Sequence, residues 1–213
     1  MLGNRRIWMI ATPVFVILIA SAAWICFPAL RLMAHAGRIR TIPKTEEQWV
    51  NAHRYDSEWF DAARAGRVDI LQALYEAHYP IDSQTAAGYS ALTLAAYDEQ
   101  PDALGYLLSA GANACLGDRN GNTALMGALY KGNTDVVRIL IHQRCPVDQS
   151  NNAGETALSF AALFGRKEFL PELIREGARI DHRDAKGQTA LAIAMKQGND
   201  SMAITLRNLG AKD

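Results

Sequence analysis

The sequence has little of what most catalytic or disulfide-rich proteins need. Only three of its 213 residues are cysteine, too few for a scaffold of disulfides. It contains no Gly-x-Ser-x-Gly, no phosphate-binding Walker loop, no His-Glu-x-x-His and no Cys-x-x-Cys motif. Its charges sum to zero, but the part after residue 44 has 16 basic and 22 acidic residues and no basic stripe, which argues against a nucleic-acid partner. These absences predict a protein that is not an enzyme, with no cofactor, no metal and no evident small-molecule substrate.

Charge is also missing from one long segment near the start of the chain. Residues 7–30 contain no charged side chain, and a helix of that length spans about 36 Å, enough for a hydrocarbon core of roughly 30 Å. Residues 1–30 are therefore predicted to be an N-terminal membrane anchor or signal segment, and residues 31–52 a juxtamembrane linker or capping segment. An uncleaved signal-anchor is favoured because the apolar run exceeds the ~7–15 residues of a signal peptide. A cleaved secretory signal stays open as the alternative.

The charges around this segment do not fix its orientation. Arg5 and Arg6 precede it, and further basic residues follow it, so the positive-inside rule does not decide. These following residues are Arg31, Arg38, Arg40 and Lys44. A short basic tail before a single anchor is the common pattern for a domain outside the cytoplasm, which for a bacterial protein predicts the periplasm. Cytoplasmic repeats, or secretion after signal cleavage, are the alternatives.

What the sequence does contain is a repeat with a period of 33 residues, which indicates a stack of helical units. Its marker is a glycine followed, after one residue, by Ser-Ala-Leu or Thr-Ala-Leu. The glycine suits a turn at positive φ, and the hydroxyl residue can cap a short apolar helix. A second, amphipathic helix follows and ends at a Gly-Ala step in most copies. The four marker glycines are Gly88, Gly121, Gly154 and Gly187.

Residues 154–165 and 107–113 resemble the signature of the ankyrin repeat, whose family pattern runs Gly-x-Thr-Pro-Leu-His-x-Ala-Ala, then Gly, then Leu-Leu-x-x-Gly-Ala. Alanine stands here in place of the family's proline, and the histidine position is also changed. The resemblance implies an all-α ankyrin-repeat solenoid of about five helix-turn-helix repeats with β-turn or hairpin loops over residues 53–213. The first repeat is degenerate. The build is similar to that of bacterial membrane-anchored ankyrin-repeat proteins.

The same resemblance implies a noncatalytic module that binds a protein partner of unknown identity. Ankyrin domains usually grip their partners with the turn tips and with the exposed side of the first helices, on a concave face. Three other functions stay open as alternatives: an immunity or inhibitor protein that neutralises a toxin, an accessory factor in periplasmic oxidative-stress defence and, remotely, an enzyme subunit.

Twelve residues are predicted to line this binding face, because they fall on the turn tips or at the exposed end of a first helix. The run of aromatic and apolar residues at the helix ends favours an apolar groove. Whether each tyrosine packs sideways between repeats or faces a partner stays open. The twelve are Tyr89, Tyr97, Arg119, Asn122, Tyr130, Lys131, Asn152, Glu155, Leu163, Phe164, Lys186 and Gln188.

The two cysteines of the repeat region are predicted to stay unpaired. Cys145 aligns with the alanines of the Gly-Ala step, so we expect it to fill a tight core site. The repeat register sets Cys115 beside Asp148 rather than beside Cys145, so a disulfide is not expected. His142 lies three residues before Cys145, but no second pair accompanies them and a metal site is not expected.

Overall fold

A computed structural model describes residues 53–212, and within them the chain is all-helical. Helices pair into five successive repeats, numbered 1 to 5 below. Repeat 4 has an additional 3₁₀ turn, Lys167–Phe169, before its second helix. The pairs are α1 (Asp56–Arg64) with α2 (Val68–Glu76), α3 (Ala91–Tyr97) with α4 (Pro101–Ser109), α5 (Ala124–Lys131) with α6 (Thr134–Ile141), α7 (Ala157–Leu163) with α8 (Leu170–Arg175), and α9 (Ala190–Lys196) with α10 (Asp200–Asn208).

The predicted membrane segment and linker lie outside the described residues, so both stay predictions. Within residues 53–212, no helix is both long enough and apolar enough to cross a membrane. The same part of the chain has no β-strand. Its hairpin loops contribute only two isolated bridges, Gln84 with Ser90 and Gly117 with Thr123.

The first helix of repeats 2 to 5 begins at the hydroxyl residue that the sequence pattern predicts. Each of these side chains accepts a hydrogen bond from the backbone N–H three residues later, which satisfies a donor that the helix leaves free. The marker glycine two residues earlier has a φ between 75° and 86° in all four hairpins. The predicted caps and left-handed turns are therefore confirmed. The capping residues are Ser90, Thr123, Thr156 and Thr189.

First helices pack against first helices of neighbouring repeats, and α2, α4 and α6 line up behind them. The core between these rows is leucine-rich and continuous through the stack. In repeat 1, Trp59 takes the place of Leu92, is fully buried, and packs against the Tyr79 ring at 4.8 Å. The Tyr79 hydroxyl donates to the Asp56 carboxylate. Burial and this hydrogen bond raise the pKa of the Tyr79 phenol well above its usual value.

The hairpin tips are joined into one row by backbone hydrogen bonds between neighbouring repeats. The amides of Arg119, Asn152 and Ala185 donate to carbonyls one hairpin back, at 3.0, 2.8 and 2.9 Å. The chain approaches so closely here that a side chain on some marker glycines would overlap the next hairpin. A Cβ on Gly154 would lie 2.6 Å from the Ala185 nitrogen. The spacing of hairpins is thus set by backbone contact.

The prediction of unpaired cysteines is wrong. Cys115 and Cys145 form a disulfide with their Cα atoms 5.4 Å apart. Cys145 is half-buried instead of filling a core site. The prediction assumes that residues 33 apart lie side by side, but successive loops elsewhere in the stack meet at a separation of 31 residues. At that separation Cys115 faces Pro146, next to Cys145, and not Asp148.

We expect Gly105→Ala to stabilise the protein. Gly105 lies in the middle of α4, is exposed, and has no atom within 4 Å of an added Cβ. Alanine is therefore expected to raise the free energy of unfolding by about 0.5–1 kcal/mol, measured by urea denaturation. Gly111→Ala is the matched control, since it also meets open space but has a φ of 95°. Equal effects of the two changes would contradict this interpretation of α4.

Candidate protein-binding face

Aromatic side chains from three consecutive repeats meet at the ends of the first helices. Tyr97 ends α3, Tyr130 lies one residue before the end of α5, and Phe164 follows α7. The Tyr97 and Tyr130 rings stack nearly parallel with centroids 6.0 Å apart, and the Phe164 ring meets Tyr130 edge-on at 4.9 Å. Phe160 adds a fourth ring, 5.6 Å from Phe164. We call Tyr97, Tyr130, Phe160 and Phe164 the aromatic strip.

The helical repeat explains how the strip forms. Tyr97 and Tyr130 lie 33 residues apart at equivalent positions, and Phe164 lies one residue past the next equivalent position, so stacking the repeats brings the three side by side. Gly127 of α5 lies beside the first ring, and an added Cβ would be in ordinary van der Waals contact with Cδ2 of Tyr97, at 3.9 Å. The Lys131 ammonium lies 4.9 Å from the centre of the same ring, a cation–π contact. The order of the rings along the strip therefore follows from the order of the repeats.

The strip is open to solvent although its rings contact one another. Tyr97 is 41% exposed and Tyr130 is 46% exposed, while Phe164 and the neighbouring Leu163 are half-buried. Phe160 is buried beneath Phe164. The tyrosines therefore pack between repeats and leave part of each ring exposed. Their contact with a partner stays a prediction. Large, rigid, partly exposed aromatics are the commonest anchors at protein interfaces.

Arg166 bonds to the end of α5, next to the aromatic strip, and was not predicted as a site residue from the sequence. Its guanidinium donates to the carbonyls at the end of α5, those of Leu129, Tyr130 and Lys131, at 3.0, 3.1 and 3.2 Å. A cation at this end of the helix also suits the helix dipole. The side chain occupies the space above Gly132, where a Cβ would lie 2.4 Å from the Arg166 Cζ. Tyr130 is thus held by repeat 4 as well as by its own helix.

The polar residues predicted at the turn tips divide into two groups. In the first group, the side chains form hydrogen bonds between or within hairpins; these residues are Asn122, Asn152 and Glu155. Asn151 donates to Asn122 at 2.8 Å and to Glu155 at 3.0 Å, and Asn152 donates to the Arg119 carbonyl at 2.9 Å. These bonds fix the hairpins in a row, so the three side chains hold the face in shape. Their contact with a partner stays a prediction.

The other tip residues are more available. Tyr89, Arg119 and Lys186 are exposed, and Gln188 is half-buried beside the last hairpin. Lys131 is exposed next to the aromatic strip. The structure thus brings together an aromatic strip, one lysine beside it and a row of tips with free basic side chains. This arrangement can bind the folded surface or an extended segment of another protein through apolar and charged contacts.

The described residues offer no sign of a metal centre. Over residues 53–212, no three His, Cys, Asp or Glu side chains are placed to hold one ion. His142, which the sequence pairs with Cys145, instead lies between Glu172 and Glu176 of repeat 4, with nitrogen-to-oxygen distances of 3.1 and 3.4 Å. The contact joins repeats 3 and 4 on the outer side of the stack.

Comparison with known proteins agrees with the geometry. Residues 59–151 and 141–213 match the family described as Ankyrin repeats (3 copies). The chain belongs to the ankyrin-repeat family. Ankyrin repeats are scaffolds for protein–protein interaction and are typically noncatalytic.

One curated relative is the mouse protein "Ankyrin repeat and SAM domain-containing protein 6". This ankyrin-repeat chain is 37% identical to it over 82 residues, which cover 37% of this chain and 9% of the mouse protein. Because the chain spans only about a tenth of that relative, the likeness concerns the repeats and not the whole mouse protein.

Proposed function

We propose that this protein is a noncatalytic ankyrin-repeat scaffold, tethered to a membrane through residues 7–30, that binds a protein partner by its aromatic strip and hairpin tips. The observation that carries the proposal is the strip itself: two tyrosines more than two-fifths exposed, whose rings stack on each other, with Arg166 bonded to the Tyr130 backbone carbonyl. A rigid face loses little conformational entropy when a partner docks. Exposed rings in contact over three repeats are otherwise a cost in solubility.

The proposed location is the periplasm or another oxidising compartment. The Cys115–Cys145 disulfide supports it, because disulfides persist in secreted and periplasmic proteins and are rare in the cytosol. With the chain's basic N-terminal tail in the cytoplasm, a single anchor would place the repeats on the opposite side of the membrane, in the oxidising compartment. Appending alkaline phosphatase, which is active only outside the cytoplasm, to the C-terminus would test this location. An inactive, stably expressed fusion would exclude it.

The binding proposal predicts that Tyr130→Ala combined with Phe164→Ala weakens capture of the partner by at least about tenfold. The intact protein, extracted in mild detergent from its native membranes, would be captured with its bound proteins, which mass spectrometry would then quantify. The reason is that the two changes remove the centre of the aromatic strip while leaving the buried leucine core in place.

Ile204→Ala is the matched control for this experiment. Ile204 lies on α10, behind the first helices, and is 58% exposed, so its loss also removes exposed apolar surface. We expect one protein that is lost with the double variant and retained with Ile204→Ala. Retention of every captured protein by the double variant would exclude the strip as the binding site.

A further inference from the structure

Neighbouring repeats are joined behind the hairpins by a recurring hydrogen bond. In three of the four junctions between repeats, an aspartate in the loop after one second helix accepts from a backbone N–H 31 residues later, in the loop after the next. The distances are 2.9, 3.0 and 3.0 Å. These bonds hold successive loops together on the outer side of the stack. The pairs are Asp82 with Asn113, Asp148 with Arg179, and Asp181 with Lys212.

The junction between repeats 2 and 3 cannot make this bond. The repeat register places Cys115 at the aspartate position and Pro146 at the N–H position. Cysteine has no carboxylate and proline has no backbone N–H, so both halves of the bond are missing. The disulfide from Cys115 to Cys145 lies at this place instead. It is a covalent substitute for the hydrogen bond of the other junctions.

The turn after α6 lacks a second feature of the other repeats. In each of those other repeats, a residue with positive φ follows the second helix, and the amide of the residue after it donates to the carbonyl five residues back. Repeat 3 has Arg144 at this position without positive φ, and the Cys145 amide donates to the Gln143 carbonyl at 2.7 Å. The loop is therefore not closed onto its own helix in the usual way. The positive-φ residues of the other repeats are His78, Gly111, Gly177 and Gly210.

A small cavity lies under this loop. Its volume is about 50 Å³, and Met126, Leu140, Val147 and Cys145 are among its lining residues. In repeats 1, 2 and 4 the residue equivalent to Cys145 is buried, as Ala112 is, whereas Cys145 is half-buried and bonded to Cys115. The loop after α6 thus lies beside a cavity, and both cysteines of the disulfide are half-buried.

We propose that the Cys115–Cys145 disulfide makes the junction between repeats 2 and 3 redox-sensitive, so that a dithiol reductant loosens the loops after α4 and α6. A thiolate of the reductant attacks one sulfur, the S–S bond breaks and a mixed disulfide forms. The second thiolate then releases the protein sulfur. Two electrons pass to the protein, two protons end on Cys115 and Cys145, and the reductant leaves as its own disulfide.

The inner side of the same junction has contacts that reduction does not touch. The Tyr97 and Tyr130 rings stack across it, and α3 packs against α5. At the hairpin tips, the Asn152 amide donates to the Asn120 carbonyl at 2.8 Å. The outer loops keep one bond of their own, from the Gln149 side chain to the Cys115 carbonyl at 2.8 Å. Reduction therefore loosens these loops without separating them, and the first helices stay packed. This local response does not require that a partner is bound.

Hydrogen exchange on the intact protein, carrying Cys26→Ser so that only one cysteine pair remains, tests the proposal. We expect amides of residues 113–117 and 139–149 to exchange at least about tenfold faster with dithiothreitol than without it, because their opening costs less once the bond is broken. Amides of α3 and α5 should change little. Equal exchange in both states, with alkylation showing both thiols free after reduction, would overturn the proposal, as would free thiols in protein isolated without reductant.

A variant that rebuilds the ordinary junction is the matched control. It combines Cys115→Asp, Arg144→Gly, Cys145→Ala and Pro146→Lys, which copies Asp181, Gly210, Ala211 and Lys212 of the last junction. We expect residues 139–149 to be protected about as well as in the oxidised parent and to show no response to dithiothreitol. A response as large as that of the parent would place the redox effect elsewhere and overturn the proposal.

Discussion

Replacing both Cys115 and Cys145 with serine should lower the free energy of unfolding by about 3–4 kcal/mol, the chain-entropy estimate for a disulfide that closes a loop of this size. The two cysteines are 30 residues apart, so the bond restricts a long stretch of the unfolded chain. In the folded protein it also stands in a junction without the usual aspartate bond. Urea denaturation of the intact protein in detergent, followed by circular dichroism, measures the difference.

Two comparisons make this result interpretable. Cys26→Ser alone should leave stability unchanged because it does not touch the repeat disulfide. The parent protein treated with dithiothreitol should unfold at nearly the urea concentration of the double serine variant. A double serine variant as stable as the oxidised parent would mean that the disulfide does not stabilise the repeat stack, and its role as a link between repeats 2 and 3 would be wrong.

Gly154→Ala is the second change with a large expected effect, at about 2–5 kcal/mol of destabilisation. One part is the left-handed backbone, which costs an L-residue roughly 1–2 kcal/mol. The other part is steric, because the new Cβ would lie 2.6 Å from the Ala185 nitrogen of the next hairpin. Backbone atoms cannot move aside as a flexible side chain can, so overpacking adds about 1–3 kcal/mol.

Gly187→Ala separates these two parts. Gly187 occupies the same place in the last hairpin with a φ of 76°, against 75° for Gly154, but nothing lies within 4 Å of an added Cβ. We expect it to lose only the backbone part, about 1–2 kcal/mol. Thermal or urea unfolding of the two variants side by side gives the difference. Equal losses would show that close approach of the hairpins does not determine the requirement for glycine.

Local features of the fold could be predicted because each repeat carries its own signals. A glycine at a turn and a hydroxyl residue at a helix start both act over three or four residues. The roles of Gly154 and Thr156 can therefore be predicted from their immediate neighbours in sequence. The 33-residue period then places equivalent residues side by side. This is how Tyr97 and Tyr130 could be paired from sequence.

The disulfide was not predicted because the 33-residue period does not give the offset between neighbouring loops. Those loops meet at a separation of 31 residues, which places Cys115 opposite Pro146 and beside Cys145. A signal was present in the sequence: Cys115 and Pro146 together remove both halves of a bond that the other junctions have. Its meaning becomes visible only when the inter-repeat bonds of those junctions are known.

The binding face could be predicted in position but not in detail. The register gives the row of helix ends, yet side-chain rotamers decide whether a ring faces its neighbour or the solvent. The tyrosines do both. Asn122 and Asn152 show the opposite limit, since short polar side chains at a tip can serve a partner or the next hairpin, and here they bond to the hairpin.

Site-specific photo-crosslinking would test most directly the claim that the aromatic strip is the partner-binding surface. Benzoylphenylalanine would replace Tyr130 in one variant and Tyr75 in another, in the intact protein in its native membrane. Tyr75 is a fair comparison because it is also exposed, at 38%, but lies on α2, behind the first helices. We expect a discrete crosslinked partner from position 130 and none from position 75. Crosslinks from position 75 alone would contradict the account.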